Sequence, residues 1–512
     1  MRSRKCWVLV FPLVFILFIL TSSGSLAGSK DTVLVGELYH PTTIDPFQYR
    51  GSKDAVVFGA MFQSLMGIDD KSGEMVLSLA QSIKILENGR DIQVRLRKGP
   101  KFSTGDPVTA ADFRFSWQQH TDKINKSLLR SVYARIKDVE IIDDYSFIYR
   151  FNKPYSPWES LMSMSIGSKK YYDKVGREVW IKKPVGSAPF TLVERKIGES
   201  VILQAVKNHH DTKVGFNTLK ILSVPDEMTR LAMMETGELD LIYKVLPHHT
   251  KRLARNKRIK IKRSGITPSF YYISFRMVND PAITDLKLRK AFQYAINRQE
   301  IIDNIYFKEG YPHYMACESF ELGYNPDLKY KFDPEKARKL IKESSYKSGT
   351  PLMLTYTDFV PNGSQLVSAV QQYLKKVGVT VKLQYMESGT YLTYSRKKDK
   401  RIGAMSLSSW PGSRDPVWRI MLAIKSDGYY TWYPNRPNKD VIDKLISEQS
   451  VEMDKKKRSV ILKKMHLLLR EDPDIIPIFG LNMIYAMQDR IDYDWVPVTG
   501  EIAHFWNIKI VK

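Results

Sequence analysis

Cysteine is almost missing from this 512-residue chain, which holds only Cys6 and Cys317. Cys6 lies in an N-terminal segment that reads as removable, which leaves Cys317 alone, so no intrachain disulfide staples the fold. A lone thiol of this kind reads as a small buried hydrophobe. Long apolar runs are scarce too: the longest, Trp7 to Leu20, is too short for a comfortable membrane span and carries Pro12. No Cys follows it, so a lipid-anchoring motif is missing. HExxH, GxSxG and P-loop patterns are absent, and the adjacent pairs His209-His210 and His248-His249 lack the i, i+4 spacing of helical metal ligands. Asp69-Asp70 and Asp143-Asp144 sit in turn-like stretches. There is no zinc-finger spacing, no RNA-recognition signature, no 20–50-residue repeat and no low-complexity linker. Nucleic acid is therefore not an expected partner, no metal or cofactor is expected, and catalysis has no motif to stand on.

What is present begins at the N-terminus. Arg2, Arg4 and Lys5 precede the apolar run, and "TSSGSLAG" follows it with small residues Ser25 and Ala27. A charged start, a short apolar stretch and small residues make a cleavable export signal over 1–27. The mature chain is then exported, soluble and periplasmic. Charge is lopsided: 79 Lys and Arg face 55 Asp and Glu, a net +24. Removing the three charges of the signal from +24 leaves +21. Such an excess points to an anionic partner or surface. "KRLARNKRIKIKR" (251–263) and "SRKKDKR" (395–401) are the densest stretches, readable as docking patches or as solvated faces. Aromatics make up 12% of the chain, with 28 Tyr and 22 Phe, enough for large cores or an aromatic-lined cleft. The length alone suggests about three domain-sized units.

Strand-like and helix-like segments alternate along the chain. "DTVLVGEL" (31–38) reads as a buried strand, and "RDIQVRLRKGP" (90–100) alternates Ile92, Val94 and Leu96 with polar neighbours as a half-exposed one. Gly105-Asp106-Pro107 makes a turn, Thr109 and Asp112 form a capping box, and Phe113, Ser116 and Trp117 share a helical face. "DEMTRLAMMETGELDLIYKV" gives a helix stopped by Gly237, then a strand. "PSFYYISFR" (268–276) is an aromatic strand. The helix after it turns Leu288, Ala291, Phe292, Ala295 and Ile296 inward and is recapped by Asn297 with Glu300. Asp333 caps a helix with Pro334 in its first turn. A further helix ends at Gly378 before another strand. The class is α/β with mixed sheets.

On these residues the chain resembles a known family. "LVGELYHPTTIDPFQYRGSKDAVVFGAMFQSLMGIDDKSGEMVLSLAQSI" with "VRLRKGPKFSTGDPVTAADFRFSW", then "VGSAPFTLVER", "METGELDLI", "DLKLRKAFQYAINRQEII" and "EDPDIIPIF", resembles the family-5 solute-binding proteins, the oligopeptide- and dipeptide-binding components of ABC importers. The match spans essentially 31–512, and the stretch "KFSTGDPVTAADF" is its most specific part. The resemblance implies a two-lobed periplasmic-binding-protein fold (type II, cluster C) with an extra domain in the first lobe. Lobe I would comprise 28–63, 180–268 and 490–512, the extra domain 64–179, and lobe II 269–489. Ligand would be enclosed between the lobes of a monomer and passed to an inner-membrane ABC permease. A secreted peptide chaperone or adhesin, and a binder of haem or a nickel chelate, are the alternatives.

"SSWPGSRDP" (408–416) matches the family's Trp-containing ligand loop, where an extended peptide pairs by strand addition. The resemblance places Ser409, Trp410 and Pro411 along the ligand, with Trp410 as a wall. Two departures stand out. The family's ammonium-binding Asp falls on Gly412 or Ser413, leaving Asp415 as the nearest acid, and Pro411 offers no N–H. Opposite, "QYRGSKD" (48–54) matches the second ligand-facing loop, with Arg50 where the oligopeptide binders carry an acid, and Gly51 and Ser52 beside it. Arg50 and Arg414 make both loops more positive, which leaves two ligand classes, an ordinary oligopeptide and a carboxylate-rich murein-type peptide. The first testable expectation concerns export: N-terminal sequencing of the exported protein should read from Gly28, and Met1 retained in a membrane fraction would overturn it.

Overall fold

The computed structural model describes residues 31–69, 71–86, 89–265, 269–396, 399–494 and 504–511. The expected signal 1–27 lies outside these residues. Three principal sheets organise the chain. The first has seven strands in the order Ile259–Arg263, Ile484–Gln488, Leu241–Tyr243, Thr32–Glu37, Thr218–Ser223, Ser200–Ala205, Phe190–Lys196. Its central strand Thr32–Glu37 pairs in parallel with both neighbours. Val33, Leu34 and Val35 are all buried, the continuous apolar run of a strand covered on two faces.

The second sheet has six strands in the order Gly310–Pro312, Ile475–Leu481, Ser269–Phe275, Met405–Pro411, Leu352–Tyr356, Val381–Tyr385. The aromatic strand expected near 268–276 is thus central. Successive strand residues face opposite sides. Ile273 and Phe275 with Met405 and Leu407 turn one way, into a core with Leu288, Ala291, Phe292, Leu366, Val370 and Leu374. Those last six come from the helices Leu286–Ala295 and Gly363–Lys376. The Asp285 carboxylate accepts from the Leu288 N–H at 2.9 Å, and Asn297 opens the next helix by accepting from Glu300 N–H at 3.2 Å. The amphipathic pattern and its recap are both present.

The third sheet, Ala80–Ile85, Asp91–Leu96, Ser146–Phe151, Ile136–Asp143, is antiparallel throughout and lies within the segment expected as an extra domain. The helix Ala110–Thr121 starts at the predicted capping box: Asp112 accepts from Thr109 N–H at 2.9 Å. Trp180 fastens this unit to the first sheet's N-terminal loop. Its ring stacks on Phe47 at 5.2 Å and 9°, and its indole N–H donates to Asp45 Oδ1 at 2.9 Å.

The chain passes between the first and second sheets twice. One passage follows Ile259–Arg263 and precedes Ser269–Phe275. The other falls between Ile475–Leu481 and Ile484–Gln488, because Ile484–Gln488 pairs antiparallel with Leu241–Tyr243 and Ile259–Arg263 in the first sheet. Within the expected 269–489 unit, Ile484–Gln488 thus joins the first sheet by its hydrogen bonds. Its sequence, IYAMQ, is apolar enough for either lobe, and only its pairing partners decide. Among the described residues no helix is long and apolar enough to cross a membrane.

Two buried histidines set an acid limit on this fold. His120 Nε2 bonds the Ser165 carbonyl at 3.0 Å, and burial pushes its pKa down to about 4. His466 is pushed down to about 3 by burial and then by the nearby Arg419 charge. Both are neutral in the folded chain, whereas in the unfolded chain they take up protons near the ordinary histidine value of ~6.5. Below that value the unfolded state binds the extra proton, so stability present at neutral pH is lost as pH falls towards 4. Each contributes on the order of 1 kcal/mol per pH unit across that window. His120→Gln should flatten the fall in melting temperature between pH 7 and pH 4; an unchanged slope would show that His120 does not set it.

Candidate ligand-binding cleft

The strand Met405–Pro411 carries the candidate site at its C-terminal end. Along one edge it pairs fully with the aromatic strand, Tyr271 opposite Ser409, Phe270 opposite Trp410, and Ser269 opposite Pro411. Along its other edge the parallel neighbour Leu352–Tyr356 pairs only at Leu354 with Met405 and Thr355 with Ser406. Beyond Ser406 that edge has no adjacent strand among the described residues. An open strand edge is a template for another extended chain. Trp410 stands over it half-exposed, edge-to-face with Tyr430 at 6.1 Å and 81°. Tyr429 extends the aromatic wall, 4.8 Å from Tyr430.

The turn after the strand is held from below. Gly412 is buried, and a Cβ there would lie 2.7 Å from Phe320 and 3.3 Å from Glu318, so only glycine fits without displacement. Ser413 N–H donates to Glu321 Oε1 at 3.0 Å, and Glu321 is itself gripped by the buried Arg419. Asp415, the nearest acid after the turn, accepts a two-pronged pair from Arg458, one bond at 2.9 Å. Asp415 also caps Val417 N–H at 3.0 Å. Its charge and lone pairs are engaged inside the protein.

The two arginines expected to face ligand also have protein partners. Arg414 Nε donates to the Gly73 carbonyl at 2.7 Å and Nη2 to the Ser72 carbonyl at 2.9 Å, and Nη1 lies 2.8 Å from Glu74. It joins the second sheet's loop to the third-sheet unit. Lys455 to Glu159 at 2.9 Å and Trp418 against the third-sheet core make the same connection. Arg50 Nη1 donates to the Lys126 carbonyl, and its backbone N–H reaches the buried Asp54 at 2.9 Å. Asp54 also accepts from Thr42 N–H at 2.7 Å, which draws the first loop tight. Gly51 precedes and Ser52 opens the helix Ser52–Met61. Thus Ser409, Trp410 and Pro411 cluster on the open strand end, whereas Arg50, Arg414 and Asp415 are tied into the scaffold.

Sequence reasoning passed over the face opposite the core. There Phe270, Tyr272 and Ser274 stand opposite Trp410, Ser408 and Ser406. Tyr391 bonds both serine hydroxyls at 3.2 Å, and Arg276 Nη1 donates to Ser406 Oγ at 3.2 Å. The aromatic run "YYTWY" (429–433) and the charge ending "FYYISFR" were the available signals. The lone Cys317 is buried as expected, and burial drives its thiol pKa well up.

The chain belongs to the bacterial extracellular solute-binding proteins, family 5, whose model matches residues 74–430. These are substrate-binding proteins of ABC importers. The oligopeptide-binding protein AppA of Bacillus subtilis is 24% identical over 99% of this chain and 100% of its own length. The glutathione-binding protein GsiB of Escherichia coli K12 is 23% identical over 94% of this chain and 95% of its own. Among solved structures, the ABC-transporter substrate-binding protein CtaP of Listeria monocytogenes superposes with TM-score 0.85 at 22% identity, covering 94% of this chain and 99% of that one. AppA in complex with a nonapeptide superposes with TM-score 0.78 at 22% identity, covering 94% and 99%. The fold is the two-lobed periplasmic-binding-protein fold.

Arg414 generates a prediction about lobe closure. Its bonds to Ser72, Gly73 and Glu74 form only when the second sheet's loop meets the third-sheet unit. Because the pair is partly exposed, the set contributes about 1 kcal/mol, near the low end for charge-assisted bonds. Arg414→Ala should shift the open–closed balance about fivefold towards open, read as a larger radius of gyration by solution scattering without ligand. An unchanged scattering profile would show that the contact does not bias closure.

Proposed function

We propose that this chain is the substrate-binding component of a peptide ABC importer, exported to the periplasm, where it encloses an extended peptide and hands it unaltered to an inner-membrane permease. The observation that carries this reading is the open edge of Met405–Pro411 beyond Ser406, walled by Trp410 and Tyr430. A peptide laid along it gains backbone hydrogen bonds that do not depend on its sequence, while the surrounding aromatics accept varied side chains. The likeness to AppA and GsiB, both named for peptide ligands, supports the same class. Pro411 removes one donor from that edge, and Asp415 is committed to Arg458. Recognition of a free amino terminus is therefore not the organising contact, and the strand pairing carries more of the affinity. Lobe I at 28–63, 180–268 and 484–512, with 64–179 attached, would close against 269–483.

Mass spectrometry of the material released on denaturing the purified protein should find peptides, and added peptide should be recovered intact. Trp410→Ala should weaken binding of the recovered peptide by about 2 kcal/mol, roughly thirtyfold, as expected for an aromatic wall truncated in a closed cleft. Recovery of a metal chelate or haem in place of peptide, or multiple-turnover cleavage, would sink the reading.

A further inference from the structure

The buried arginines among the described residues face carboxylates or backbone carbonyls, with one exception. Arg289 faces Asp472, Arg419 faces Glu321, Arg436 faces Asp474 and Arg458 faces Asp415. Arg298 and Arg230 bond backbone carbonyls. Arg276, fully buried at the end of the aromatic strand, meets no carboxylate among the described residues. Its guanidinium carbon lies 3.3 Å from the centroid of the Trp432 ring, which places the cation flat over the indole face. Nη1 reaches Ser406 Oγ, while Nε and Nη2 are out of water with no acceptor. Its other neighbours are hydroxyls: Ser406 joins Ser274 at 2.8 Å, and Tyr391 bridges Ser406 and Ser408. Burial draws the Arg276 pKa down to about 10, so it stays a cation at neutral pH.

A charged fork removed from water keeps its donors unpaired only at high cost, and stacking on an indole leaves its in-plane edge unused. That edge is suited to a planar oxyanion held bidentately. The site lies on the ligand face: Ser406 is four residues from Trp410 on the same side of the strand, about 13 Å at ~3.3 Å per residue. Ser408 and Tyr272, between them, keep accessible surface although burial pushes the Tyr272 hydroxyl pKa up. An extended ligand of about four residues starting at Trp410 spans that distance.

We propose that Arg276, stacked on Trp432 and flanked by Ser406, Ser408 and Tyr391, forms a carboxylate-binding subsite at the inner end of the cleft, so that the preferred ligand carries an acidic group there. The subsite rests on reading this face as the ligand cleft. It moves the recognition of an acidic ligand away from Arg414, whose donors are engaged, and Arg50, which is bonded through Nη1, to a cation with two donors out of water and unpartnered. Lobe opening admits the ligand, and the carboxylate then supplies the acceptors that Nε and Nη2 lack.

Two probe sets separate this subsite from the peptide reading. Calorimetry on the full mature chain compares Ala-Glu-Ala with Ala-Gln-Ala, both amidated at the C-terminus, and thermal unfolding with tryptophan fluorescence follows glutarate, a dicarboxylate without a peptide bond. The wild type should prefer Ala-Glu-Ala by about tenfold, and glutarate should raise its melting temperature. Arg276→Met should abolish the preference and the glutarate response, binding both tripeptides alike, while a far-ultraviolet circular dichroism spectrum matching the wild type reports that it is folded. Arg276→Lys, which keeps the charge but not the fork, should retain part of both. Glutarate responses lost in Arg276→Met, with neither tripeptide bound by the wild type, would support the subsite and overturn the peptide reading. Equal affinities for the two tripeptides in the wild type, a preference that survives in Arg276→Met, or no response to either probe set would overturn the subsite.

Discussion

The antiparallel pairing of Ser269–Phe275 with Met405–Pro411 is the constraint from which the candidate ligand face follows. Its register puts Phe270 opposite Trp410 and Ser274 opposite Ser406. A slip of one residue would turn Ile273, Phe275, Met405 and Leu407 out of the core and Tyr272, Ser406 and Ser408 into it. The apolar side cannot tolerate that, because it packs against two amphipathic helices. The core therefore fixes the polar side without touching it. The strand that follows the passage from the first sheet is the same one that presents Phe270 and Tyr272, so the passage and the cleft share one element.

The third-sheet unit touches both of its neighbours, with contacts of unequal kind. Towards the first sheet's loop it offers a buried aromatic stack, Trp180 on Phe47, closed by an indole bond to the buried Asp45. Aromatic pairs contribute ~0.5–1.5 kcal/mol beyond the area they bury, and Trp180 is fully buried. Towards the second sheet it offers Arg414 to Glu74 and Lys455 to Glu159, pairs in which at least one partner is well exposed. Exposed ion pairs are worth ~0–1 kcal/mol and are screened by salt. Trp418 adds an apolar contact on that side, packed against the third-sheet core.

Much of this architecture was legible because local chemistry and global fold agree. The Thr109–Asp112 box, the Gly237 stop, the Asp333 cap and the alternation of Ile92, Val94 and Leu96 all act within a few residues, and the structure carries each of them. The family resemblance supplied what local signals do not, the order of lobes and the loop at 408–416. Partners far apart in sequence stayed illegible. Ile484–Gln488 is apolar enough for either sheet, and only pairing with Ile259–Arg263 places it. Asp415 was an acid near a ligand loop until Arg458, 43 residues on, engaged it. The aromatic run at 429–433 announced a wall but not which ring would cover Arg276.

Net charge misled for a related reason. A sum of +24 counts each guanidinium alike, yet the free energy of each depends on what surrounds it. Arg289, Arg419, Arg436 and Arg458 are spent against carboxylates deep in the fold, and Arg50 and Arg414 against backbone carbonyls near the cleft. Basic stretches such as 251–263 are partly neutralised in place: Arg252 meets Glu235, Lys262 meets Asp492 and Asp494, and Arg263 meets Glu309. In a closed, dry cleft a cation that has lost water and keeps unpartnered donors weighs more than the most basic segment. A ligand oxyanion is stabilised most where the protein has already removed the competing water and fixed the donors. On that criterion Arg276, a single charge inside a run of aromatic and hydroxyl side chains, outweighs the many lysines that give the chain its positive sum.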